Sequence, residues 1–193
     1  NRRFKLTHAP LDPERHVLPC AGTREALFSI AQAVIDRRAH GAQPVAIMPN
    51  PFYQIYEGAA LLAGARPYFL NTVADNHYRM DFTRVPEEIW AQVQLVYLCS
   101  PGNPTGTVLK HADFARILEL AEKHDFLIAS DECYSEIYFD ENKPPPGLLQ
   151  VAHDLGIADY RRCLAFHSLS KRSNLPGLRS GFVAGDGVAL EHY

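Results

Sequence analysis

Short apolar runs alternate along the chain with longer stretches in which apolar residues recur every three or four positions. The runs PVAIM (44–48), RPYFL (66–70), QLVYLC (94–99), FLIAS (126–130), CLAFH (163–167) and SGFVAG (180–185) each predict a strand. In GTREALFSIAQAVIDRRAHG, Ala26, Leu27, Ile30, Val34 and Ile35 share one helical stripe, with Gly41 as the expected C-terminal stop. Residues 54–64, 111–124 and 147–156 predict further helices, the second carrying Phe114, Ile117, Leu118 and Ala121 on its apolar face. Strand and helix in alternation predict an α/β fold: three layers, α/β/α, around a mostly parallel sheet. ENKPPPG (141–147) is a loop too short to link domains, and no repeat is visible.

Composition narrows the class. Of 193 residues, 47% are hydrophobic and 21% charged, which suits a globular chain with one sizeable core. A net charge of −3 offers no basic face for nucleic acid. The pairs Arg2-Arg3, Arg37-Arg38 and Arg161-Arg162 are short and separated, as on a solvated surface. Cys20, Cys99, Cys133 and Cys163 are far apart with no CxxC pair, which favours free thiols in a reducing cytoplasm over disulfides or a metal site. No apolar run approaches the roughly 20 residues of a membrane span, and NRRFKLTHAP lacks the apolar centre of a signal peptide. The chain has no initiating Met and stops at GDGVALEHY, just after an expected strand, so a fragment is expected.

Ligands of open α/β sheets bind beyond the carboxyl ends of the strands, and four polar clusters fall at such ends. In CAGTREAL, Gly22 allows close backbone approach, and Thr23 opens a helix whose free N–H groups suit a phosphate. The same residues also read as a Thr N-cap with Glu25 in the first turn. SPGNPTG (100–106) fixes the backbone around Asn103, or is a structural turn. In ASDECYSEIY, Asp131 ends an apolar run, where an unpaired carboxylate is costly and calls for a cationic partner. Tyr134 follows within reach of the same cavity, although a helix-capping Asp beside a core Tyr is the plainer alternative. In AFHSLSKRSNLPGLRSGF, Ser168 and Ser170 precede Lys171, and Arg179 follows eight residues later. Arginine presents a planar fork for phosphate oxygens. A lysine partly desolvated beside another cation becomes a usable amine nucleophile, although an isolated lysine would more simply be a surface residue.

A single ligand engages all four clusters if it carries a phosphate, a carbonyl, a protonated ring nitrogen and a ring oxygen. Pyridoxal 5′-phosphate has each of these. SPGNPTG, SDECY and SLSKRSNLPGLRSGF resemble the class I/II aminotransferases of the fold-type I pyridoxal-phosphate family, over nearly the whole chain. The KRSN version of the lysine motif is most similar to the N-succinyldiaminopimelate aminotransferases of bacterial lysine synthesis.

The resemblance implies roles residue by residue. Lys171 would be the Schiff-base lysine, Asp131 the partner of the pyridinium nitrogen, and Asn103 and Tyr134 the partners of the phenolic oxygen. Thr23, Arg24, Ser168 and Arg179 would form the phosphate cup, and Gly22 and Ser170 would also bind the cofactor. Tyr53, with Phe52 as competitor, would stack on the cofactor ring. The implied reaction moves an amino group between an amino acid, expected to be glutamate, and a 2-oxo acid. N-succinyl-2-amino-6-oxopimelate is the finer expectation for that acid. Alternatives on the same scaffold are an aspartate or aromatic aminotransferase, a β-lyase, or a non-catalytic sensor. Residues 1–193 would be the large cofactor domain without its N-terminal arm and small C-terminal domain. The full-length protein would be a cytoplasmic homodimer, with no nucleic-acid or membrane partner.

Overall fold

The computed structural model describes residues 1–38 and 41–193. In chain order the elements are α1 (Pro13–His16), β1 (Val17–Cys20), α2 (Thr23–Val34), β2 (Val45–Asn50), α3 (Gln54–Leu62), β3 (Arg66–Asn71), α4 (Glu87–Trp90), β4 (Val93–Cys99) and α5 (His111–His124). They continue with β5 (Leu127–Asp131), α6 (Leu148–Asp154), β6 (Cys163–Ser168), α7 (Leu169–Arg172), β7 (Gly181–Gly185) and α8 (Gly187–Glu191). The seven strands form one sheet in the order β1-β7-β6-β5-β4-β2-β3. The ladders from β3 through β6 are parallel, whereas β7 runs antiparallel to both β6 and β1.

The sheet is buried on both faces because successive side chains point to opposite sides. On β2, Val45 and Ile47 enter the core beneath α5 and α6, while Ala46 and Met48 enter the core beneath α2 and α3. On β4, Val96 and Leu98 face the first core and Leu95 and Tyr97 the second. The alternation slips between Val93 and Leu95, matching a register shift in the β2–β4 ladder. Three layers and a mostly parallel sheet are therefore the observed architecture. No helix among the described residues is long and apolar enough to cross a membrane.

The strand order places the site. From β2 the chain passes outward to β3 and then returns to add β4 on the other side of β2. The crevice between the carboxyl ends of β2 and β4 is thus a topological switch point, where ligands of open α/β sheets settle.

Two features depart from the sequence reading. Helix α2 ends at Val34, well short of Gly41. Two β-branched residues at its end give way to Asp36, whose side chain accepts from Arg38 N. The Asp36 backbone exchanges hydrogen bonds of 2.8 and 2.9 Å with the Gln94 side chain, which pins the chain away from a further turn. Strand β1, in the Pro-containing VLPC, was not expected. Lys171 sits in the short helix α7, N-capped by Ser168, just beyond the carboxyl end of β6.

Candidate functional site

A cavity of about 550 Å³ opens at the carboxyl ends of β2, β4, β5 and β6. Its wall contains Thr23, Arg24, Tyr53, Asn103, Asp131, Tyr134, Ser168, Ser170, Lys171 and Arg179. Four clusters far apart in sequence, from Thr23 to Arg179, therefore meet in one place. Gly22, the eleventh expected residue, lies just behind the wall as the N-cap of α2.

The base of the site is Asp131, the last residue of β5 and only 6% exposed. The β5 alternation puts Ala129 in the core beneath α2 and α3, so Asp131, two residues on, points to the same side. Its Oδ2 accepts from the Tyr56 hydroxyl at 2.8 Å and its Oδ1 from Cys133 N at 3.2 Å. Burial raises the Asp131 carboxyl above its ordinary range, and the bonds from Cys133 and Tyr56 pull it partly back. No cationic side chain among the described residues pairs with it. The carboxylate thus faces the cavity stabilised by neutral donors alone.

The rim nearest α2 gathers the groups expected to receive a phosphate. Gly22 caps α2 at φ +101° and supplies no side-chain bond to the first N–H groups. Thr23 is the first helical residue rather than the cap, and its Oγ1 lies 3.0 Å from Cys133 Sγ. Across the opening, Ser168 Oγ accepts from Ser170 N and donates to Ser170 Oγ, both at 3.0 Å. Arg179 has a left-handed backbone, φ +46°. Its Nη1 donates to the Pro176 carbonyl at 3.2 Å and its Nη2 to Glu25 Oε2 at 2.9 Å. A Cβ on residue 22 would collide with the Arg179 guanidinium, so glycine is what allows that side chain to lie against the helix end.

Lys171 and the aromatic residues complete the wall. Lys171 Nζ lies 5.9 Å from the Tyr134 ring centroid, and burial raises the Tyr134 phenol. Tyr53 lines the cavity and meets Tyr56 edge-on at 5.9 Å. Phe52 turns away to stack on Phe69 at 5.0 Å, which separates the two candidates for a ring-stacking partner. Cys99 closes part of the floor, and burial pushes its thiol up to about 12. Burial raises Cys133 as well, so both thiols serve as apolar wall.

Sequence reasoning missed Tyr56 and Glu25. Tyr56 stands three residues after Tyr53 on α3, so helical spacing alone puts both phenols on one face. An aromatic in an apolar helix, however, reads first as core, and Tyr56 does stack on Tyr97 at 4.7 Å.

The donor set fits pyridoxal phosphate on its chemistry. An amine, a buried carboxylate without a cationic partner, phenol and amide donors, and an arginine beside an uncapped helix end all face one cavity.

Known proteins were compared with the chain. The family model for aminotransferase class I and II matches residues 3–193. An LL-diaminopimelate aminotransferase of Desulforudis audaxviator is 33% identical over 192 residues, covering 98% of this chain and 45% of that protein. A solved aminotransferase from Neisseria meningitidis superposes with a TM-score of 0.91 at 48% identity, over 98% of this chain and 47% of its own. A Thermus thermophilus structure described as a probable N-succinyldiaminopimelate aminotransferase gives a TM-score of 0.83 at 28% identity, over 98% and 48%. The chain thus spans about half the length of the relatives it matches.

Proposed function

Since the chain belongs to the class I and II aminotransferases, whose members use pyridoxal phosphate, we propose that its full-length protein moves an amino group between an amino acid and a 2-oxo acid. The observation that carries this reading is the meeting of Lys171, Asp131 and Arg179 around one cavity.

When bound, pyridoxal phosphate supplies a carbonyl that takes up amines and a ring that accepts electron density from the substrate α-carbon. In the proposed assignment Lys171 would hold the carbonyl of the cofactor through its Nζ. The same Nζ, when free, would move a proton at the substrate α-carbon, as base and then as acid. Asp131 keeps a proton on the ring nitrogen, and its burial away from water strengthens that pairing. Asn103 and Tyr134 would donate to the ring oxygen, and Tyr53 would pack against the ring. Thr23, Arg24, Ser168, Ser170 and Arg179 hold the phosphate, with Gly22 giving room for Arg179. Residues 1–193 serve as the cofactor domain of a longer chain, and two copies form the working enzyme.

The substrate is the finer part of the proposal. Relatives named for LL-diaminopimelate and for N-succinyldiaminopimelate share a long amino acid with a second polar end. We assign a diaminopimelate-type compound as one partner and glutamate with 2-oxoglutarate as the other. The 33% identity to the LL-diaminopimelate enzyme gives the succinyl form no precedence.

Borohydride reduction of the full-length protein with pyridoxal phosphate, followed by peptide mapping, tests the site; label anywhere but Lys171 refutes it. Assays with LL-diaminopimelate and its N-succinyl derivative against 2-oxoglutarate then test the reaction. Turnover of neither, with normal labelling, would remove the substrate assignment and leave the cofactor site standing.

A further inference from the structure

Two charges on the cavity rim are paired with each other. Arg179 Nη2 donates to Glu25 Oε2 at 2.9 Å, while Nη1 is held by the Pro176 carbonyl. Glu25 is the third residue of α2, so its carboxylate hangs over the helix end whose first N–H groups have no side-chain cap. Resting on the reading of that end as a phosphate seat, we propose that Glu25 is a resident counter-anion. It occupies Arg179 and is displaced by the incoming phosphate, and so it weakens the hold on the phosphate.

Three observations carry the inference. First, Arg179 has little freedom to turn elsewhere. Its backbone is left-handed, Pro176 holds one nitrogen, and its guanidinium lies against Gly22. A phosphate reaching Nη2 must therefore compete for the position that Glu25 Oε2 now takes. Second, the pair is breakable. The side chains of Arg179 and Glu25 are 45% and 57% exposed, and exposed pairs are weak and screened by salt. Third, the charge count makes Glu25 matter. The cavity wall carries three cationic side chains, Arg24, Lys171 and Arg179, against two carboxylates, Glu25 and Asp131. Asp131 is placed to face the ring, which leaves Glu25 as the anion nearest a phosphate of charge close to −2.

A plainer role exists for an acid in a first helical turn, namely stabilising the helix dipole. That role changes stability and leaves phosphate affinity alone, so the two separate experimentally. Glu25→Gln keeps size and helix propensity and removes the charge. Full-length protein freed of cofactor is titrated with pyridoxal phosphate, with inorganic phosphate and with pyridoxal, which lacks the phosphate. E25Q should bind the two phosphate-bearing probes about two- to fivefold more tightly at low ionic strength. That ratio should shrink towards one near 1 M salt, and pyridoxal should bind both proteins alike. Unchanged phosphate affinity, with or without a lower melting temperature, overturns the inference. Weaker phosphate binding by E25Q also overturns it, because Glu25 would then be orienting Arg179. Wild-type protein that fails to take up pyridoxal phosphate at Lys171 overturns the cofactor reading itself, a result distinct from normal uptake with no effect of E25Q.

Discussion

The Tyr56 hydroxyl donates to Asp131 Oδ2 at 2.8 Å, in a site where both residues are more than nine-tenths buried. The bond favours the charged form of Asp131 against a burial that disfavours it. Tyr56→Phe keeps the ring that stacks on Tyr97, so the fold should survive. A hydrogen bond to a charged group is worth about 1.5–3 kcal/mol, and its loss raises Asp131 further. In the full-length enzyme, kcat/KM should fall roughly tenfold, with the acid limb of its pH profile moved to higher pH. An unchanged limb would mean that Tyr56 is only core.

Asp131→Asn tests the charge itself. Asparagine can still accept from Cys133 N, so the backbone geometry should hold. A unit charge pair at about 4 Å and an effective dielectric near 20 is worth about 4 kcal/mol. Turnover should therefore drop about a thousandfold, while borohydride still labels Lys171. Near-normal turnover would refute the role assigned to Asp131.

The strands and the site were legible in the sequence for the same reason. Strands buried on both faces read as unbroken apolar runs, and a polar residue closing such a run, as Asp131 closes β5, marks a functional end. What escaped detection lacked a local signal. Strand β1 is a four-residue edge strand containing Pro19, held only by its ladder to β7, and proline argues against a strand unless the edge is known. The stop of α2 depends on Gln94, which lies 58 residues away from Asp36. Tyr56 and Glu25 each satisfied a commonplace reading, core aromatic and first-turn acid, and only the tertiary contacts to Asp131 and Arg179 give them a second one.

Gly22→Ala should damage stability and phosphate binding together. Residue 22 sits at φ +101°, where a side chain is strained, and its Cβ would meet the Arg179 guanidinium and approach Glu25 Oε2 to 3.1 Å. Strained backbone of this kind costs about 1–3 kcal/mol, which urea unfolding would register. Arg179 must shift to make room, so affinity for pyridoxal phosphate should fall while affinity for pyridoxal stays level. Equal losses for both ligands would show that the damage is to the fold rather than the phosphate cup.

Glu132, on the opposite side of the sheet, predicts a stability penalty that grows with pH and that removing its charge relieves. Its side chain is 1% exposed, with Oε1 accepting from Ser130 Oγ at 3.0 Å and Leu148 N at 2.8 Å, and Oε2 3.4 Å from His167 Nε2. Burial raises Glu132 from 4.5 to about 7 and lowers His167 to about 4, so near neutral pH the imidazole carries no charge to offset a carboxylate. Because the folded state binds the Glu132 proton more tightly than the unfolded chain, the Glu132 contribution to stability falls as pH rises from about 4.5 to 7, while His167, which the folded state holds neutral, contributes the opposite slope between about 4 and 6.5. The full penalty, about 3 kcal/mol, applies above that window. Glu132→Gln keeps an oxygen for Ser130 and Leu148 and removes the charge. The variant should match wild type at pH 4, where Glu132 is protonated, and exceed it by up to about 3 kcal/mol at pH 8 in urea unfolding. A loss of stability at pH 8 would show instead that the ionised carboxylate is compensated, with Arg3, whose charge favours that form, as the group to remove next.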